Sequence, residues 1–111
     1  MKIDRLKMGS VSVVAPHGGV THAETEELMA AIETMRQQAA GRIVLDMGDV
    51  PFADSRALEA LLDFADRQHA AGQTPKLAGL TETCREIFDL TDLLGEFEVF
   101  DSVDSAVRSF L

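Results

Sequence analysis

Between Ile43 and Leu62 the hydrophobic period of the chain changes within a few residues, and that change limits its fold more than any other feature. Ile43-Val44-Leu45 is apolar at every position, a pattern that suits a strand covered on both faces. Asp46 to Phe52, carrying Gly48 and Pro51, reads as a loop. Asp54 and Ser55 are both good N-cap residues. The apolar series Leu58, Leu61, Leu62, Ala65 that follows has the i, i+3, i+4, i+7 spacing of one helix face. A serine is therefore presented where a helix begins, on a turn leaving a central strand.

The rest of the chain alternates in the same way. Lys2 to Leu6 and Val11 to Ala15 read as two strands joined through Met8-Gly9-Ser10 as a hairpin. Thr21 and Glu24 have capping-box spacing and open a helix with Leu28, Ala31, Ile32 and Met35 on one face. Gly41 ends the connection to the central strand, Arg42 to Leu45. The second helix runs from about Ser55 to Ala71, with Gly72 as its stop. Pro75 to Leu80 is the next strand. Thr81 and Thr83 are candidate caps of a third helix whose Ile87, Leu90 and Leu94 point inward. Phe97 to Phe100 is a last strand. Ser102 caps a terminal helix with Val103, Ala106, Val107 and Phe110 inward. Crossover helices require parallel pairing of the later strands, and the hairpin adds an antiparallel pair. The expected fold is α/β: one domain over residues 1–111, with a small mixed β-sheet and helices packed mainly on one face.

Composition excludes several roles. Nineteen acidic residues against 10 basic ones leave a formal net charge of −9, which repels phosphate backbones and anionic lipid and argues against nucleic-acid or membrane-surface binding. No apolar run approaches a membrane span. A single cysteine, Cys84, cannot form an internal disulfide, so a reducing cytoplasm is expected. No glycine-rich phosphate loop and no nucleophile elbow accompany the His17-Gly18-Gly19 turn, so neither an enzyme nor a cofactor of its own is expected.

With these elements in place, the whole chain resembles a STAS domain, the fold of bacterial anti-sigma factor antagonists and related regulatory modules. In that family a central strand leads through a loop to an Asp-Ser-(Ser or Thr)-Gly turn opening the second helix. Val44-Leu45-Asp46 through Val50-Pro51-Phe52-Ala53-Asp54-Ser55 is similar to it. Cys84 to Leu94 resembles the family's third helix and following turn, and Asp101 to Val107 its closing helix. The resemblance implies that Ser55 occupies the position a partner kinase phosphorylates in the antagonist branch. It also implies a partner surface around Asp49, Asp54, Ser55, Arg56, Glu59 and Asp63, extended by Asp66 and Arg67. The implied partner is an anti-sigma factor that is also a serine kinase, bound when Ser55 is unmodified and released when it is phosphorylated. The alternative is a non-switching accessory subunit of a larger complex, such as a lipid-transport ABC transporter. Arg56 stands where the family usually has Ser or Thr, Ala57 where it has Gly, and Gly19-Val20-Thr21 where it has Gly-Xaa-Leu-Asp. Docking tuned to the usual turn is expected to be weakened or altered.

A phosphate at Ser55 adds about −1.5 to −2 charge, which helix N-terminal amides favour. Arg56 is adjacent in sequence and does not share a helical face with Ser55, so pairing between them needs a turn geometry. The plainer reading of Asp54-Ser55 is an N-cap alone. His22 and Glu26, one helical turn apart, have a spacing that can hold a metal, but no third ligand stands at a matching spacing and no metal site is expected. His17 and His69 show no partner in the sequence and read as surface residues. Cys84 reads as structural. Glu24, Glu26 and Glu27 read as a solvated first helical turn favoured by the dipole.

Overall fold

The doubly apolar strand sits at the centre of a five-stranded sheet, and its alternate side chains feed two separate cores. The computed structural model describes residues 1–111. Strands β1 (Lys2–Met8), β2 (Val11–His17), β3 (Ile43–Asp46), β4 (Lys76–Ala78) and β5 (Glu98–Phe100) lie side by side in chain order. Only β1 and β2 are antiparallel; each later neighbour is parallel. Ile43 and Leu45 of β3 point into one core and Val44 into the other, all three fully buried.

This strand order dictates where the helices go. Each parallel step moves the chain one strand in the same direction, and right-handed crossovers then place every connecting helix on the same face. Helices α1 (His22–Gln38), α2 (Ser55–Ala70) and α3 (Glu82–Leu90) are those connections, and with them the sheet closes a core of 19 buried residues. The opposite face carries only α4 (Val103–Arg108), which covers a cluster of five residues around Ala106. The mixed sheet with helices mainly on one face is the architecture expected from the alternation of elements.

Several boundaries differ from the pattern. The hairpin strands are longer than expected, because the pairing runs from Lys2–His17 to Met8–Val11 around Gly9-Ser10. The third helix stops at Leu90. Leu94 lies not on it but in a short 3-10 turn, Leu94–Glu96. Leu90, expected to point inward, is 77% exposed, because the helix ends before another turn can cover it. Leu62, expected on the buried face of α2, is 40% exposed, and Phe64 and Gln68 are buried instead. The α2 core face is rotated toward Ala57, Ala60, Leu61, Phe64, Ala65 and Gln68. That rotation leaves Leu62 beside the third helix's end.

Candidate functional site

Parallel strands deliver their C-terminal ends, and the N-termini of the helices that follow, to one edge of the sheet. Ligands and partners commonly meet such α/β folds at that edge. Here the β2–α1 and β3–α2 loops run side by side across it. Gly18 N–H donates to Asp49 C=O at 2.9 Å, Val20 N–H to Phe52 C=O at 3.0 Å, and Asp54 N–H to Val20 C=O at 3.0 Å. Val20 and Ala53 form a parallel bridge. At the other side of the loop, buried Val50 offers its carbonyl to the Thr81 hydroxyl at 2.9 Å and to Cys84 Sγ at 3.2 Å. The turn before Ser55 is thus tied to α1 on one flank and to α3 on the other.

Asp54, not Ser55, caps α2. One carboxylate oxygen accepts from Ala57 N–H at 3.0 Å and the other from His22 N–H, the first residue of α1, at 2.7 Å. Two helix N-termini therefore converge on one carboxylate. The Ala57 amide, helped by the His22 and Arg56 amides, holds the Asp54 carboxyl below its usual range. Ala57 itself, which stands where the family usually has glycine, is buried and has no positive φ. Its methyl belongs to the core.

Ser55 is exposed and takes no part in the cap. It lines the end of a shallow groove of about 240 Å³ between α2 and the turn after α3, with Leu58, Glu59, Leu62, Thr91 and Leu93 as the other walls. Asp63 lies exposed one turn beyond Glu59 on α2. Ser55 and Glu59 therefore share a groove, and Asp54 and Arg56 face α1. Asp49 points elsewhere. Its carboxylate is 2.6 Å from His17 Nδ1, while His17 Nε2 is 2.7 Å from Asp4.

The structure corrects three readings of the sequence and gives Glu26 a partner. His17 has two partners rather than none; Asp49 first, then Asp4, raise its pKa above the ordinary imidazole value. The signal was present in the hairpin register, since Asp4 faces Ala15 and so lies diagonal to His17 on the same face. His69 places Nε2 at 3.0 Å from the Glu96 carbonyl. The acidic first turn of α1 is not simply solvated. The Glu24 carboxylate accepts from the Thr21 hydroxyl and, at 3.1 Å, from its backbone N–H, and these bonds hold its pKa below the ordinary value. Glu26, considered with His22 for a metal, instead takes the Arg56 guanidinium at 2.6 Å. Thr91 and Leu93 were missed as site residues. Phe52 is 46% exposed, and its ring lies so close to Gly19 that a Cβ there would strike it.

No helix is long and apolar enough to cross a membrane. The STAS domain family matches residues 2–106. BtrV of Bordetella bronchiseptica, which carries the name of an anti-sigma factor antagonist, is 26% identical over 99% of this chain and 95% of its own. The crystal structure of TM1081 from Thermotoga maritima superposes with a TM-score of 0.87 at 16% identity, over 96% of this chain and 92% of that one. The Bacillus cell fate determinant SpoIIAA in its phosphorylated form superposes at 0.75 and 19% identity, over 99% of this chain and all of its own. The fold, the site at the strand ends and the family match agree: the chain belongs to the STAS domain family.

Proposed function

We propose that this protein is a regulatory binding module that acts as an anti-sigma factor antagonist, docking on an anti-sigma factor with serine kinase activity through the groove and the N-terminal half of α2. The observation that carries this reading is the position of Ser55. Asp54 does the capping, so the serine is free of that role, and it stands at the rim of a groove walled by Leu58, Leu62 and Leu93. A neutral hydroxyl can be covered by an apolar partner surface at modest cost. A phosphate in the same place carries about −1.5 to −2 charge and resists desolvation strongly. Modification of Ser55 would then release the partner without unfolding this chain. In the transfer, the γ-phosphoryl of ATP passes to Ser55 Oγ, the hydroxyl proton leaves to the kinase, and ADP departs.

Glu59 borders the groove and, with Asp63 exposed one turn further along α2, sets the register of docking, and Asp54 shapes the turn. Asp49 contributes through the loop it anchors, since its carboxylate is engaged by His17. BtrV's name supports the same assignment at the level of the whole chain.

The test is retention from native lysate on immobilised wild type, Ser55→Ala, Ser55→Glu and Leu62→Ser, with mass spectrometry of what is held. An ATP-binding serine kinase held by wild type and Ser55→Ala, and lost with Ser55→Glu and Leu62→Ser, is the expected result. A transport ATPase or other complex held equally by wild type and Ser55→Glu would replace the switch with the accessory-subunit reading.

A further inference from the structure

Arg56 follows the candidate switch serine and is its nearest cation in the chain, yet its guanidinium reaches away, to Glu26 of α1 at 2.6 Å. This contact joins the first turns of two helices whose residues are 30 positions apart. It is a surface pair, with side chains 39% and 78% exposed, and such pairs hold weakly. One first-turn amide of α2 is already committed, since Ala57 N–H donates to the Asp54 carboxylate, which also takes His22 N–H of α1. A phosphate on Ser55 would find Asp54 beside it and Glu59 one turn along; the adjacent cation, Arg56, starts on the α1 side, and its long side chain would have to swing around the first turn of α2 from Glu26 to meet the phosphate.

The geometry points to Arg56 as a transferable counter-ion: phosphorylation of Ser55 draws its guanidinium from Glu26 to the phosphate, opening the α1–α2 tie and freeing the Glu26 carboxylate. This rests on the reading of Ser55 as a phosphorylation site and adds what the phosphate does within the chain. The competition favours the phosphate. It offers close to two negative charges and three acceptor oxygens, which the guanidinium fork matches bidentately, against one exposed carboxylate. The modification then does more than add charge at the groove. Glu26 loses its neutralising partner, so an acidic site on α1 joins the altered surface, and the sheet edge changes at two helix ends together.

The experiment needs no kinase or partner. Phosphoserine is installed at position 55 during translation of the full chain, and the second ionisation of its phosphate is followed by phosphorus NMR. Wild type is compared with Arg56→Gln, Arg56→Lys and Glu26→Gln, each checked for a wild-type amide spectrum away from the substitutions. Transfer of Arg56 predicts a wild-type midpoint below that of Arg56→Gln, by roughly one pH unit as for an acid beside a cation. Arg56→Lys should fall between them, and Glu26→Gln should lie below wild type because its competing acceptor is gone. Equal midpoints for wild type and Arg56→Gln would overturn the proposal. A midpoint unchanged by Glu26→Gln would also overturn it, since no acceptor would then have been given up. Loss of kinase binding in the lysate experiment would leave these midpoints where they are, so the two readings fail separately.

Discussion

Thr81→Val tests whether the turn carrying Ser55 is held from α3. The substitution keeps the β-branched shape and removes one hydroxyl with two roles. That hydroxyl caps α3 by accepting from Cys84 N–H at 3.3 Å, and it donates to the Val50 carbonyl at 2.9 Å. Loss of an N-cap costs about 1 kcal/mol, and loss of a hydrogen bond to a buried carbonyl about 1 kcal/mol more. Val50 is fully buried and would keep only the weak Cys84 thiol as a side-chain donor. The expected loss is therefore about 2 kcal/mol, or a Tm lower by roughly 8 °C for a domain of this size. Urea unfolding gives the energy, and amide exchange locates it. Val50 N–H, bonded to Met47, and Gly18 N–H, bonded to Asp49, should exchange faster, whereas central β3 amides should change only with global stability. Thr83→Val, at an exposed neighbouring position, is the control. A loss below about 0.5 kcal/mol, the range of neutral surface changes, would refute the argument that α3 holds the loop.

Other outcomes follow from single contacts. His17 has a raised pKa in the folded state through its bonds to Asp49 and Asp4. Its stabilisation is complete below the unfolded value of about 6.5 and disappears as pH rises through the folded value. Wild type should therefore lose its advantage over His17→Gln in that window, and an imidazole midpoint at or below 6.5 by NMR would contradict this. Lys76 is nearly buried, paired with Glu98 at 3.0 Å and lying 4.6 Å from the Phe110 ring centroid. Lys76→Met should stay within about 1 kcal/mol of wild type in urea, whereas Glu98→Ala, which strands the cation, should cost more; the reverse order would be inconsistent with this packing. Gly19→Ala should displace the Phe52 ring, the flexible group its Cβ would strike, rather than the backbone. Stability should then change little, and a large drop in Tm would argue against it.

Most of the fold was legible because each element carries its own local instruction. The 3.6-residue spacing of Leu28, Ala31, Ile32 and Met35 specifies which side of α1 is covered, and all four are buried. Thr21, Asp54, Thr81 and Ser102 mark helix starts because short polar side chains meet free amides there. Errors fell where local pattern and packing disagree. Leu62 fits an apolar stripe, yet the helix is rotated so that Phe64 and Gln68 take the buried places. Leu90 fits too, but it ends its helix, and the chain turns away before anything covers it.

The candidate site divides in the same manner. A cap-type Asp-Ser pair after a central strand is a local fact, and it was enough to single out Asp54 and Ser55. What surrounds them is not local. His22 reaches Asp54 across 32 positions, Glu26 reaches Arg56 across 30, and Thr91 and Leu93 close the groove from the turn after α3. Periodicity and capping determined by themselves that this chain alternates strand and helix, which strand lies at the centre, and where a serine meets a helix start. Tertiary structure alone decided which charges pair and which apolar side chains stay open beside that serine. Burial on some face is encoded by neighbours along the chain, whereas a contact between elements depends on the order and direction in which strands join the sheet.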